Sequence, residues 1–354
     1  MRYGYWMPVF GGWLRNVADE NMEASWDYVS RLARRSEELG YDITLVAELL
    51  LNDIKGISAP SLDAWSTAAA LAAVTQTLEI MVAVRPSFHP PALLAKQAAT
   101  IDHISNGRLS LNVVSAWWKD EARRYGVAFD QHDDRYARTS EWLDVVGAAW
   151  SEPNVKYSGK YYTVDDLVLE PKPDSHPTRP RPTIYAGGES DAAKNMIARQ
   201  CDAYVMHGDP PERIAPKIAE MRRARDRASE ALGVEFRPLQ FGVAGYAIVR
   251  DTEADARDEI ARITAVAPGT PGYGNYADWI TNTKLDQQVS VEDYSVSNRG
   301  LRAGLIGTPE SVAARVEEFA DVGVDLLLLQ CSPQLEEMER FSLQVMSTGA
   351  CSAN

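Results

Sequence analysis

The chain of 354 residues has little basic charge. It carries 36 Lys and Arg residues against 50 Asp and Glu residues, which gives a net charge of −14. A sequence-independent grip on nucleic acid or on an anionic membrane needs a basic surface that gains from counterion release. We therefore expect no nucleic-acid partner and no membrane partner, and small molecules are the expected ligands.

Cysteine, histidine and long apolar runs are also scarce. Cys201, Cys331 and Cys351 are odd in number and widely spaced, so they indicate neither a disulfide framework nor a zinc cluster. The five histidines lack ligand spacing, so we predict no metal site. No apolar run reaches the roughly 18 residues of a membrane span, and the first residues lack the basic-then-apolar pattern of a signal peptide. The expected location is the cytoplasm.

The sequence is rich in short apolar runs that alternate with longer helical patterns. Segments with a 3.6-residue periodicity separate the runs, which is typical of βαβ units. Eight such units close most simply into a (β/α)8 TIM barrel, whereas an open doubly wound sheet would need fewer strands or a second domain. We predict a single α/β domain over 1–354. The predicted strands are 3–10, 43–49, 79–85, 109–116, 183–188, 203–208, 241–249 and 326–331.

Two stretches interrupt the alternation. Residues 156–182 combine strand-like alternation with a proline-rich exit, which predicts a surface hairpin inserted before the fifth strand. Residues 266–300 are rich in Gly, Pro, Asn and aromatic residues, and they are longer than most loops of compact domains. Such a loop is typical of a mobile lid, with a disordered loop as the alternative.

Polar and aromatic side chains follow the predicted strands. In TIM barrels, the active residues come from the carboxyl ends of the strands, so these side chains are candidates for one site. For adjacent Trp117 and Trp118, the alternative is core packing. The candidates are Phe10, Glu48, Arg85, His89, Asn112, Ser115, Trp117, Gly187, Gly188, Glu189, Ser190, His207 and Tyr246.

One local pattern favours phosphate binding. Two glycines end the fifth predicted strand, and Ser190 opens a helix whose free amides and dipole suit an anion. Gly followed by Ser also makes an ordinary turn and cap. Arg135 and Tyr136 begin another predicted helix and could complete a phosphate site, with a solvated first turn as the alternative.

Several stretches together resemble a known family. They are "RPSFHPPALLAKQAATIDHISNGRLSLNVVSAWWKDE", "GGESDAA" and "GLIGTPESVAARVEEFADVGVDLLLLQCSPQLEEMERF". In this order they resemble the bacterial luciferase-like superfamily and, more narrowly, the two-component monooxygenases of dimethyl sulfone and alkanesulfonates. The resemblance runs from about residue 2 to 346. It implies a TIM barrel that takes reduced FMN (FMNH2) from a separate NAD(P)H-dependent flavin reductase and makes a flavin peroxide with O2. We expect a homodimer or homotetramer.

The resemblance also implies roles for individual residues. Asn112 would face the isoalloxazine edge, and Trp117 would wall the flavin pocket. Arg299, which matches the arginine with which the family's lid closes, would steady negative charge, while Tyr246 or His89 would transfer a proton. A non-prolyl cis peptide is expected near Val84 and Arg85. The expected cofactor-binding residues are Glu48, Asn112, Trp117, Arg135, Tyr136, Gly187, Gly188, Glu189 and Ser190, and the expected substrate-binding residues are Trp6, Arg85 and His207.

Departures from the alkanesulfonate pattern bear on the substrate. Ala244 and Tyr246 stand where those enzymes carry an Arg and a His, and Phe10 stands where a His is expected. A charged sulfonate would lose partners, which favours a sulfone, although a bulky sulfonate such as a sulfonated sugar stays open. We predict cleavage of a carbon–sulfur bond with release of sulfite or a sulfinate. A pyrimidine ring-opening flavin monooxygenase, a deazaflavin-dependent dehydrogenase and a non-catalytic flavin-binding protein are the alternatives.

Overall fold

In the computed structural model, eight parallel strands close into a barrel. The structure describes residues 1–115, 117–174, 179–265, 269–282 and 289–347, without the side chains of Asp278, Asn282, Ser297 and Asn298. The strands of this part are β1 (Arg2–Met7), β2 (Ile43–Val46), β3 (Glu79–Val84), β4 (Leu109–Val113), β5 (Val155–Ser158), β6 (Thr163–Leu167), β7 (Thr183–Ala186), β8 (Ala203–Met206), β9 (Gln240–Tyr246), β10 (Ile248–Val249), β11 (Ile306–Gly307) and β12 (Leu326–Gln330).

The order of strands around the barrel is β1–β12–β9–β8–β7–β4–β3–β2. Every neighbouring pair is parallel, and the register is continuous: Trp6 of β1 lies opposite Leu45 of β2, which lies opposite Met81 of β3. Each of the eight apolar runs predicted to be strands overlaps one barrel strand. The predicted (β/α)8 barrel is therefore confirmed.

Helices surround the barrel, and several of them begin at a residue whose side chain caps the first turn. Ser190 Oγ accepts the amide of Ala193 at 3.2 Å, and Thr308 Oγ1 accepts that of Ser311 at 3.3 Å. The helices are α1 (Trp26–Glu38), α2 (Ala64–Val74), α3 (Pro91–Ile104), α4 (Lys119–Arg124), α5 (His132–Ser151), α6 (Asp191–Gln200), α7 (Pro211–Leu232), α8 (Glu253–Thr264), α9 (Tyr276–Asn282), α10 (Val291–Tyr294), α11 (Pro309–Asp321) and α12 (Gln334–Phe341). Short 3-10 helices cover Pro271–Tyr273 and Ser297–Ala303, and a π-helical turn covers Ser342–Met346.

The interior of the barrel is filled by side chains below its carboxyl end. Near the opposite end, Arg2 Nη2 binds Glu79 Oε2 at 2.6 Å, and the hydroxyl of Tyr185 donates to Glu79 Oε1 at 3.2 Å. The packed interior leaves the carboxyl ends of the strands as the place for a ligand. The apolar residues that fill the interior are Ile43, Leu45, Met81, Ala83, Tyr185, Ala203, Leu326 and Leu328.

Both predicted insertions lie outside the barrel sheet. Strands β5 and β6 pair antiparallel, which confirms the hairpin predicted within 156–182, although residues 175–178 lie outside the described part. Of the lid predicted over 266–300, the described residues form short helices that reach the carboxyl end of the barrel, whereas 266–268 and 283–288 are not described. Its mobility stays a prediction.

The peptide bond expected to be cis near Val84 and Arg85 is not cis. The two cis bonds in the described residues are Glu170–Pro171 and Ser332–Pro333. Both precede proline, whose tertiary amide makes cis far less costly than it is elsewhere. Among the described helices, none is long and apolar enough to cross a membrane.

Candidate active site

A cavity of about 280 Å³ opens at the carboxyl end of the barrel. It extends across the barrel, because Trp6 on β1 and Gly187 after β7 both line it and these two strands are opposite in the strand order. Much of its wall is aromatic, which suits a planar ring system. The aromatic lining residues are Trp6, Phe10, Trp13, Trp117, Tyr136, Trp279 and Tyr294.

Most residues predicted from the strand ends meet in this cavity. They converge because the carboxyl ends of parallel barrel strands face one opening. Residues from the start of α5 and from the 3-10 helix Ser297–Ala303 join them. The predicted site residues that line the cavity are Trp6, Phe10, Glu48, Arg85, Asn112, Ser115, Trp117, Arg135, Tyr136, Gly187, Gly188, Glu189, His207 and Arg299.

Three predicted site residues do not line the cavity. The Ser190 hydroxyl accepts a hydrogen bond from the Ala193 amide and so caps α6. His89 lies behind Glu48, with Nε2 2.5 Å from Glu48 Oε1, so only Glu48 reaches the cavity. Tyr246 is 1% exposed within the core, where burial raises the pKa of its hydroxyl well above the usual value. A direct proton transfer from His89 or Tyr246 to a ligand has no support in these positions.

A buried charged cluster lies beside β2 and β3. The side chain of Arg85 donates from Nε to Glu48 Oε2 at 3.3 Å and from Nη1 to Glu121 Oε2. Its backbone amide also donates to Glu48 Oε2, at 2.9 Å. Glu121 is anchored in turn by the amide of Leu50, at 2.6 Å from its Oε1. One guanidinium is therefore shared between two buried carboxylates, and its positive charge is already balanced.

A second cluster joins the predicted lid to the strand ends. Arg299 Nη2 binds Glu189 Oε1 at 2.5 Å, and Lys217 Nζ binds the same oxygen at 3.0 Å. The backbone of Arg299 packs closely against Gly208, because a Cβ on Gly208 would lie 2.6 Å from the carbonyl oxygen of Arg299. The carboxylate of Glu189 thus holds Arg299 in place. The Glu189 side chain makes ion pairs with Arg299 and Lys217, and its contact with a phosphate stays a prediction.

The glycine turn after β7 meets the start of α5. A Cβ on Gly188, whose φ is +147°, would lie 2.9 Å from the Tyr136 hydroxyl and 2.5 Å from the Cβ of Ala193. Burial raises the pKa of Tyr136, which also bonds Ser190. Arg135 is 7% exposed, and burial lowers the pKa of its guanidinium. A glycine cradle, a hydroxyl, a desolvated cation and a helix amino end fit a phosphate group.

The two adjacent tryptophans have different surroundings. Their rings stack at 5.6 Å with an angle of 6° between planes. Trp118 is 1% exposed, whereas Trp117 lines the cavity. Core packing, the alternative given for both tryptophans, agrees with the burial of Trp118, and the flavin contact of Trp117 stays a prediction.

An ion pair that the sequence did not reveal also lines the cavity. Arg15 follows β1 and Asp53 follows β2, and Arg15 Nη2 lies 2.6 Å from Asp53 Oδ2. Trp279 and Tyr294, also missed, line the cavity from the predicted lid. Arg15 and Asp53 lie in loops that follow barrel strands, and Trp279 and Tyr294 lie within the predicted lid, but no motif in the sequence connects the four residues.

Comparisons with known proteins agree with this fold. The model of the luciferase-like monooxygenase family matches residues 1–326. The chain belongs to this family. The FMNH2-dependent dimethylsulfone monooxygenase of Pseudomonas putida is 32% identical over 98% of this chain and 94% of its own length. That of Pseudomonas fluorescens (strain Pf0-1) is 31% identical over 98% and 93%. The crystal structure of a long-chain alkane monooxygenase has a TM-score of 0.81 at 17% identity, covering 98% of this chain and 90% of that one.

The family assignment confirms the resemblance read from the sequence. It also makes this chain a monooxygenase of the luciferase-like type. The alkane monooxygenase, at 17% identity, confirms the fold alone.

Proposed function

We propose that this chain is an FMNH2- and O2-dependent monooxygenase that cleaves a carbon–sulfur bond of a sulfone. The observation that carries the proposal is the similarity to enzymes named dimethylsulfone monooxygenases over 98% of this chain. The cavity also supports the proposal, because its wall is largely aromatic and one corner of it fits a phosphate group.

The residues at that corner suit FMN. The amides around Gly187, Gly188 and Ser190, with the Tyr136 hydroxyl and the Arg135 guanidinium, would hold the phosphate. Asn112, Trp117 and Glu48 line the cavity and would contact the ring system. Reduced FMN supplies two electrons with which O2 is activated.

The charge balance of the cavity supports a neutral sulfone over a charged sulfonate. Arg15 is paired with Asp53, Arg85 with Glu48 and Glu121, and Arg299 with Glu189. Burying an additional anion without an unpaired cation is costly. A sulfonyl group needs only hydrogen-bond donors, which Trp6, Arg85 and His207 would provide from the cavity wall.

The overall reaction balances for a sulfone R–SO2–CH2R′. With O2, two electrons and two protons, the C–S bond breaks to give the sulfinic acid R–SO2H, the aldehyde R′CHO and water. Within this chain, Glu48 would pass a proton between His89 and the cavity, because it touches both. Arg299, held by Glu189, would stabilise developing negative charge.

The test supplies the chain with FMN, NADH and a generic flavin reductase as the transient partner. Dimethyl sulfone, an alkanesulfonate and uracil are offered in parallel, and sulfinate, sulfite, aldehyde and uracil loss are measured. Sulfinate and aldehyde in equal amounts from the sulfone are the expected result. Turnover of uracil alone, or flavin oxidation without any product, would contradict the proposal. Gel filtration with light scattering tests the proposed homodimer or homotetramer.

A further inference from the structure

One wall of the cavity comes from outside the barrel sheet. We call it the cover segment and define it as the described residues 269–282 and 289–303. Trp279, Val289, Tyr294 and Val296 from this segment line the cavity. Its helices are short, and helices of this length are not stable by themselves. Contacts with the barrel loops must therefore hold the segment in place.

Arg15 connects barrel loops and the cover segment. Its side chain is 2% exposed and binds Asp53 Oδ2 through Nη2 at 2.6 Å. Its Nε donates to the carbonyl of Tyr294 at 2.8 Å, and Nη1 donates to the carbonyl of Gly272 at 2.8 Å and to that of Asp53. A single guanidinium thus connects the loops after β1 and β2 with both halves of the cover segment.

The same residues position the aromatic wall. The guanidinium carbon of Arg15 lies 3.9 Å from the centre of the Tyr294 ring. That ring packs against Trp279 with centroids 5.3 Å apart. Asn275 Nδ2 donates to Asp53 Oδ1 at 2.8 Å, which fixes the carboxylate that binds Arg15.

Backbone packing at Gly272 shows how closely the cover segment fits. A Cβ at this position would lie 2.2 Å from the carbonyl oxygen of Ile54 and 3.1 Å from the Cβ of Arg15. Leu14, the neighbour of Arg15, forms an antiparallel bridge with Val296 of the other half. The arginine therefore lies at the seam where both halves of the segment meet the barrel.

Some contacts of Arg15 require the closed cover segment and others do not. The pair with Asp53 joins two barrel loops and would persist if the segment moved away. The two carbonyl acceptors and the Tyr294 ring belong to the segment and would be lost on opening. A buried charged donor without acceptors is unfavourable, so Arg15 favours the closed arrangement until water can replace those acceptors.

We propose that Arg15 is a positioning residue that holds the cover segment closed over the cavity and so excludes water during turnover. It acts through Gly272 and Tyr294, since protein acceptors already take four of its five N–H bonds. The part of the proposal that concerns turnover rests on the proposed function, whereas the closure itself does not.

Hydrogen exchange of the cofactor-free protein tests the closure. In Arg15→Met, amides of 269–282 and 289–303 should exchange about tenfold faster or more than in the wild type, while barrel-strand amides keep their rates. Arg15→Lys, which keeps a charge for Asp53 but not the fork that reaches both carbonyls, should change the rates in the same direction. Unchanged exchange in the cover segment of a folded Arg15 variant would overturn the proposal.

Arg108→Met is the matched control. Arg108 also caps carbonyl oxygens, those of Ala72, Thr75, Leu78 and Ser105, but it does not line the cavity. This variant should lose stability without selective exchange in the cover segment. Faster exchange of that segment in both variants would assign the effect to general destabilisation and reject a specific role for Arg15.

Turnover gives an independent readout. Arg15→Ala should release more hydrogen peroxide per flavin oxidised, and added guanidinium should restore part of the coupling. Wild-type coupling in this variant, or no rescue, would contradict the role in turnover. If the wild type oxidises no sulfone at all, the proposed function fails, and hydrogen exchange still decides the role of Arg15.

Discussion

Replacing Arg135 by alanine should weaken FMN binding and leave riboflavin binding unchanged. Arg135 is 7% exposed and donates from Nη1 to the carbonyl of Asp130 at 3.0 Å, with its guanidinium carbon 4.6 Å from the Phe129 ring centre. Burial is the main cause that lowers the pKa of Arg135. A phosphate beside this group would offset that desolvation, so we expect the site to favour an anion.

The expected loss follows from one charge-assisted contact. Such a bond contributes about 1.5–3 kcal/mol, so the Kd for FMN should rise by about 10- to 150-fold. The free energy of unfolding should fall by less than this. The contact of Arg135 with the Phe129 ring contributes about 0.5–2 kcal/mol, and the variant no longer has the cost of desolvating the arginine. Titration calorimetry or fluorescence quenching measures the Kd for FMN and the Kd for riboflavin, which lacks the phosphate.

Arg138→Ala is the matched control on the same helix. Arg138 binds Asp130 Oδ2 at 2.6 Å and does not line the cavity. Its loss should leave the affinities for both flavins unchanged. An Arg135→Ala protein that binds FMN as the wild type does, or that loses FMN and riboflavin equally, would refute the phosphate site.

Four further outcomes are expected. Arg299→Ala should leave FMN affinity nearly unchanged but lower product formation by on the order of 100-fold, with more hydrogen peroxide, in single-turnover mixing with O2. Trp117→Ala should weaken binding of FMN and riboflavin alike, in the same titrations, because ring contact does not depend on the phosphate. A protease should cleave the cover segment more slowly once flavin and sulfone are bound. Equal cleavage rates with and without these ligands would contradict the prediction of a mobile lid. Burial, the largest single effect, raises the pKa of Asp293, but the hydrogen bond and charge of Arg302 together with the hydrogen bonds from Ser290 lower it overall. The pair with Arg302 therefore stabilises the segment above about pH 4 and loses that effect as the pH falls. Proteolysis should therefore increase at acidic pH in the wild type and depend less on pH in Asp293→Asn.

The barrel could be predicted from the sequence because its signal is local. Eight apolar runs of strand length, separated by helical periodicity, allow few arrangements other than closure. The strand ends then indicate the site, since all of them face one opening. Asn112, Arg85 and Gly188, which the sequence places at strand ends, accordingly line one cavity, whereas their roles stay predictions.

The directions of side chains and the contacts between distant residues could not be predicted from the sequence. Tyr246 ends β9, and position at a strand end alone does not determine whether a side chain faces the cavity or the core. His89 reaches the site only through Glu48, which requires two strands in register. Arg15 and Tyr294 are 279 positions apart, and no local pattern connects them.

The most direct test of the central claim is the product ratio from dimethyl sulfone. With the purified chain, a generic flavin reductase, NADH, FMN and O2, sulfinate and formaldehyde should form in a 1:1 ratio, with one O atom from 18O2 in the aldehyde before exchange with water. Formation of hydrogen peroxide alone, at the same rate with and without the sulfone, would contradict carbon–sulfur bond cleavage by this protein.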